Sequence, residues 1–261
     1  MAFGLIIIGD EILSGKRTDK HFSKVVELLS ARGLQLGWAS IIGDDPALIT
    51  ATLQRTMATT DIVFCCGGIG ATPDDHTRQC AAAASGLELE LHPEAQVLIQ
   101  QRITYMLQAA GKPVDLTTPD HLHRLKMGEF PKGSTIIPNP FNLIPGFCTA
   151  HHYFVPGFPV MAEPMITWVL DTHYSHLFHQ EKRDEKAVLV FEIAESLLTP
   201  LMEQLEADFP LIKVFSLPSV GSDQIRRHIE LGVKGNPDEV RLAFAVLVQE
   251  LDNIKADYVP A

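Results

Sequence analysis

Three short apolar runs alternate with helical patterns at the start of this chain, and that alternation restricts the fold more than any other feature. Phe3–Ile8 reads as a strand buried on both faces. A helix is expected from Asp19 as N-cap through Leu29, with Val25, Val26, Leu28 and Leu29 as its apolar face and Gly33 closing it. Leu36–Ile42 reads as a second strand. Pro46 sits near the first position of a helix carrying Leu48, Ile49, Leu53 and Met57. Ile62–Cys66 is a third strand, followed by a helix over 73–84 that ends at Gly86. Such alternation with short connections implies right-handed crossovers and a mostly parallel sheet. Ligands of such sheets bind at the carboxyl ends of the strands.

A long helix is expected over 93–110, with Val97, Leu98, Ile103 and Leu107 facing the core, and a short one over 119–126. Residues 128–157 are rich in proline and glycine, with β-like pieces at 134–137, 144–149 and 153–155. A helix over 159–178 follows, and the polar stretch 180–186 reads as a linker. The chain is therefore read as an α/β domain over 1–180 and a small α+β domain over 181–261. The second has strands at 187–193, 211–217 and 225–233 and helices at 195–207 and 237–251.

With 261 residues, 46% of them hydrophobic, the chain can bury two cores. A net charge of −11 without a basic block speaks against a nucleic-acid partner. No stretch approaches the roughly 18–20 apolar residues of a membrane span. The four cysteines include no CxxC pair, which fits reduced thiols and a cytoplasmic location.

The densest chemical signal follows the third strand: Gly67-Gly68-Ile69-Gly70-Ala71-Thr72-Pro73-Asp74-Asp75. Glycines let a ligand approach the backbone, and a helix N-terminus offers unpaired N–H groups to phosphate. Paired acids beside a phosphate site suit a divalent cation. Gly9-Asp10-Glu11, at the end of the first strand, would face the same crevice. Pro156-Gly157-Phe158-Pro159 is a rigid entry into a helix. His173, His176 and His179 recur every third residue and would lie near one helical face. A Walker A lysine and a Gly-x-Ser-x-Gly elbow are both missing, so ATPase and serine-hydrolase chemistry have no support.

Gly9-Asp10-Glu11-Ile12-Leu13-Ser14-Gly15, the glycine turn with Asp74-Asp75, and Pro156-Gly157-Phe158-Pro159 together resemble the molybdopterin-binding domain of molybdenum cofactor biosynthesis. More narrowly, they resemble the N-terminal region of the competence/damage-inducible protein A (CinA) family. The resemblance covers roughly 1–175. Residues 187–251 look like the small KH-like domain that follows it there.

The resemblance implies a three-layer α/β sandwich with a pocket for a phosphorylated pterin or nucleotide. The ligand-binding set it implies is Gly9, Asp10, Glu11, Asp19, Cys66, Gly67, Gly68, Ile69, Gly70, Thr72, Pro156, Gly157 and Pro159. A divalent cation (Mg, Mn or Co) would be held by Asp10, Glu11 and Asp75. An alternative activity implied for such domains is metal-dependent ADP-ribose pyrophosphatase, with Asp74 and Asp75 as catalytic residues and His76 or His21 as candidate base. Another alternative is an RNA-binding or interaction role for the second domain, where Gly232-Val233-Lys234-Gly235 fits the Gly-x-x-Gly letters. The resemblance further implies a homo-oligomer, and no amidohydrolase activity, because the chain ends before that domain. The chain departs from the family pattern at His21, Cys66, Ala71 and Asn142-Leu143.

Overall fold

The computed structural model describes residues 1–180, 183–222 and 225–261. It divides into two units, Met1–His179 and Gln180–Ala261.

The first unit begins with β1 (Phe3–Ile8), a short α1 (Asp10–Leu13), α2 (His21–Ser30), β2 (Leu36–Ile42), α3 (Pro46–Met57), β3 (Ile62–Cys66) and α4 (Thr77–Ser85). It continues with β4 (Leu89–Leu91), α5 (Pro93–Ala109), α6 (Pro119–Leu125), β5 (Glu129–Pro131), β6 (Thr135–Ile137), β7 (Gly146–Thr149), β8 (His152–Val155) and α7 (Pro159–His173). The main sheet has the order β2-β1-β3-β8-β7-β6. β2, β1, β3 and β8 are parallel neighbours, whereas β7 and β6 are antiparallel.

Because side chains alternate across a strand, β1 supplies both cores. Phe3, Leu5 and Ile7 pack with Val25 and Leu29 of α2 and with Met165, Ile166 and Val169 of α7. Ile6 and Ile8 pack on the other face with Ile49 and Leu53 of α3 and Ala81 of α4. Helices on both faces of one sheet make the three-layer α/β sandwich.

Three expectations change, and one strand pair is new. α4 starts at Thr77, not at 73, because the Asp75 side chain closes a turn on Thr72. In α5 the buried residues are Ala95, Ile99 and Ile103, while Val97 is exposed. β4 and β5 form a small two-stranded sheet that three-residue runs do not announce. α7 ends at His173, and His176 lies in a separate turn, so the three histidines share no helical face.

The core also holds a histidine. His152 is fully buried; its Nδ1–H donates to the Ala150 carbonyl and its Nε2 pairs with the Thr56 hydroxyl, both at 2.8 Å. Burial pulls its pKa below the usual histidine value. The unfolded chain therefore binds the extra proton first, and stability rises with pH through this window. The protein is expected to melt at a lower temperature at pH 5.5 than at pH 7.5, as the medium falls below the unfolded value of about 6.5. His152→Gln should flatten that dependence, and an unchanged slope in thermal melts would refute the assignment.

The second unit runs β9 (Asp184–Phe191), α8 (Glu195–Asp208), β10 (Ile212–Ser219), β11 (His228–Gly235), α9 (Pro237–Asn253) and β12 (Asp257–Pro260). Its antiparallel sheet has the order β10-β11-β9-β12. This β-α-β-β-α-β succession is the split βαβ, ferredoxin-like arrangement of a small α+β domain. Val188, Val190, Leu231 and Val233 pack with Leu198 and Leu205 of α8 and Ala243 and Leu247 of α9. β12, which pairs with β9, escapes the sequence reading. Of the stretch read as a linker, 181 and 182 lie outside the described residues, and Asp184, Glu185 and Lys186 begin β9. Gly232 and Gly235 lie in β11 rather than in a loop, so no Gly-x-x-Gly clamp forms there. Among the described residues, no helix is long and apolar enough to cross a membrane.

Candidate functional site

From β1 the chain moves outward to β2, then returns across β1 to β3. The sheet order therefore reverses between β1 and β3, and the crevice opens at their carboxyl ends. The register pairs Ile7 with Cys66, which sets Gly9 level with Gly68 at the carboxyl ends of the two strands. Gly67 N donates to Val155 O at 3.0 Å, so β8 brings Pro156 and Gly157 to the same place. The cleft there has a volume of about 370 Å³.

The glycine turn forms its floor. Gly67 has φ +114, and a Cβ there would lie 2.2 Å from the Ile8 carbonyl oxygen. Gly68 has φ +68, and a Cβ there would lie 2.2 Å from Thr77 Oγ1. Only glycine accepts both conformations in that space. Four carbonyls of the turn, those of Gly67, Gly68, Gly70 and Ala71, are taken up by hydrogen bonds. Thr77 Oγ1 donates to Gly67 O at 3.1 Å and Thr77 N to Gly68 O at 3.0 Å. The Arg78 guanidinium donates to Gly70 O at 2.7 Å and also to Lys126 O. His123 Nε2–H donates to Ala71 O at 2.8 Å. In contrast, the backbone N–H groups of Gly68, Ile69, Gly70 and Ala71 have no partner among the described residues. Bonded carbonyls beside successive unpaired amides leave N–H groups available to an anion.

Arg78 is 3% exposed, and its Nε has no partner. Burial pulls its pKa down, while the nearby charges of Glu129 and Asp75 oppose that shift. Sequence reasoning misses this positioning residue, although an arginine in the alanine-rich Thr77–Ser85 helix is a usable signal. It misses Thr77 and His123 as well.

The acids form one wall. Glu11, Asp74 and Asp75 line the cleft, together with Asp44, which the sequence motifs do not include. Asp75 Oδ2 is committed to the turn: it accepts from Thr72 N at 2.8 Å and from Thr72 Oγ1 at 2.5 Å. Asp10 does not line the cleft; its N–H donates to Asp44 Oδ2 at 2.9 Å, and its Oδ1 accepts from Asp44 N at 3.2 Å. Burial raises the Asp44 pKa, and the charges of Asp10, Glu11 and Asp74 push it the same way. The lining also has an apolar part, with Ile144, Pro145, Phe158 and Met161. Phe158 is 54% exposed on it.

Gly9, Ile69, Thr72, Pro156 and Gly157 also line the cleft, whereas Asp19, Cys66 and Pro159 do not. Asp19 instead caps α2, accepting from His21 N at 3.0 Å and Phe22 N at 2.9 Å, and it also pairs with His21 Nδ1. Cys66 is fully buried among core side chains, and burial pushes its thiol pKa far up. His76 follows Asp75 in the chain, and among the described residues no hydrogen bond links its side chain to the cleft. Among the described residues, no three His, Cys, Asp or Glu side chains gather as a metal cage.

A family model described as a probable molybdopterin binding domain matches residues 4–176. The chain belongs to that family.

Among its relatives, a CinA-like protein of Citrifermentans bemidjiense is 32% identical over 211 residues, covering 78% of this chain and 47% of that one. A CinA-like protein of an Anaeromyxobacter species (strain Fw109-5) is 28% identical over 250 residues, covering 88% of this chain and 58% of that one. The chain thus spans about half the length of the curated relatives it matches. A crystal structure of the protein CinA from Thermoplasma acidophilum, itself described as of unknown function, has the same fold. It superposes with a TM-score of 0.54 at 24% identity, covering 65% of this chain and 96% of that one. In this member of the molybdopterin-binding family, the cleft falls inside the matched segment, and the second unit falls outside it.

Proposed function

We propose that the cleft binds a small phosphorylated ring compound, a phosphorylated pterin such as molybdopterin or a nucleotide. One observation carries this reading: four successive unpaired amides, at Gly68, Ile69, Gly70 and Ala71, whose neighbouring carbonyls are taken up by Thr77, Arg78 and His123. Those amides would take the phosphate oxygens. Phe158, Met161 and Ile144 would cover one face of the ring. Membership of the molybdopterin-binding family supports the pterin form of the reading. Calorimetry with molybdopterin, AMP and ADP-ribose tests it, and binding to none of the three sinks it. A ligand at a hundred times its Kd should add about 2.7 kcal/mol of stability, visible as a rise in melting temperature.

The raised Asp44 pKa favours a second element. Burial is the largest cause of that shift; the charges of Asp10, Glu11 and Asp74 add to it, and a cation would relieve their share. Without a three-ligand cage, the described residues do not fit a resident metal. They fit a magnesium ion that arrives with the phosphate and uses one or two rim carboxylates. Magnesium is expected to tighten ADP-ribose binding about threefold, a modest electrostatic gain of under one kcal/mol. Equal affinities in magnesium and in chelator would remove the cation from the scheme. We read Asp75 as a positioning residue of the turn, since its Oδ2 is taken up by Thr72.

A further inference from the structure

The acidic wall of the cleft has one exception. Among the described lining residues, Arg17 alone carries a positive side chain, against Glu11, Asp44, Asp74 and Asp75. Its backbone is fixed there. Arg17 N donates to Glu11 O at 3.0 Å, closing the loop that α1 begins. Its side chain is exposed and holds no hydrogen bond, ion pair or ring contact among the described residues. The acids nearby have other commitments: Asp75 is taken up by Thr72, and Asp44 exchanges bonds with Asp10. Arg17 is therefore a guanidinium at the cleft with its five donors unused.

An anion at this wall meets repulsion from Glu11, Asp44 and Asp74. The amides of the glycine turn lie on the floor and would be filled by one phosphate. A second phosphate, linked to the first, would meet the acids that line the same cleft, where Arg17 is the one described lining residue of opposite charge. Its planar fork matches two phosphate oxygens at once, which lysine cannot do. We propose that Arg17 is a second anion handle of the cleft, selecting ligands with two linked phosphates over those with one. This rests on the phosphate role proposed for the turn amides.

Inorganic phosphate and inorganic pyrophosphate, titrated into the full chain in magnesium-containing buffer, test it without any assumption about the ring. The wild-type protein is expected to bind pyrophosphate at least about tenfold more tightly than phosphate, the worth of one charge-assisted bidentate contact. Arg17→Gln should remove most of that preference while leaving phosphate affinity within about twofold, and Arg17→Lys should restore only part of it. Arg17 is exposed, so an unchanged melting temperature verifies that the variants fold. If the wild-type protein binds both anions but Arg17→Gln keeps the preference, or the wild type shows none, the inference is wrong and the cleft reading stands. If neither anion binds the wild-type protein, the inference is overturned, and the cleft reading is decided by the calorimetry with molybdopterin, AMP and ADP-ribose.

Discussion

Gly67→Ala is expected to lower the stability of the first unit by about 3 kcal/mol, the upper end of what a strained backbone position costs. Two effects add. The φ of +114 lies where L side chains are strained, and the new Cβ would sit 2.2 Å from Ile8 O. That oxygen belongs to β1, the strand between β2 and β3, so it cannot swing aside as a side-chain tip can. Relief requires β3 to move away from β1 at the mouth of the cleft. Gly86→Ala is the control: Gly86 has φ +68, and a methyl added there would have nothing within 4 Å. It should cost only the conformational strain, about 1 kcal/mol. Both tryptophans, Trp38 and Trp168, lie in the first unit, so their fluorescence in a urea titration reports that unit separately. Equal losses in the two variants would show that the Ile8 contact carries no cost.

Arg78→Met is expected to weaken phosphate binding at least about tenfold while costing only about 1–2 kcal/mol in stability. The two effects differ because they draw on different terms. Removing the guanidinium leaves Gly70 O and Lys126 O without their donor. It also removes a buried charge whose Nε is unpaired, and an apolar replacement of similar volume recovers much of that desolvation cost. Stability thus changes little on balance. The turn loses the bond that takes up the Gly70 carbonyl, so its amides are no longer held in place. Arg78→Lys should behave like the methionine variant, because one ammonium on a flexible stem cannot reproduce the fork that spans both carbonyls. A methionine variant with wild-type phosphate affinity would show that the turn holds its shape without Arg78.

The strands that frame the cleft are legible because their information is local. β1 and β3 are apolar at every position but one, Gly4, and are flanked by helix-capping chemistry. Asp45 and Pro46 begin α3 as their types predict, with Asp45 Oδ1 accepting from Leu48 N at 2.7 Å. The start of α4 is easily misplaced because Pro73 looks like a first helical residue. The Thr72–Asp75 bonds, however, make a separate turn before Thr77. β4, β5 and β12 escape notice because each is three or four residues long, and the pairings of β4 with β5 and of β12 with β9 join segments far apart in sequence. Asp19 and Cys66 show the same limit at the site. Their residue types and their places in a motif agree with a ligand role, yet one caps α2 and the other is buried in the core.

The alternating α/β order, the glycine turn and the acids that follow it are written in the amino-acid order alone, because apolar period, capping and backbone freedom depend on neighbours only a few residues away. Which groups meet is a matter of the folded chain. The reversal of sheet order between β1 and β3 opens the cleft. Arg78, Thr77 and His123 reach the turn carbonyls from α4 and α6, and Asp44 and Arg17 arrive from separate connections. Those contacts depend on packing between segments distant in the chain, which no local pattern encodes.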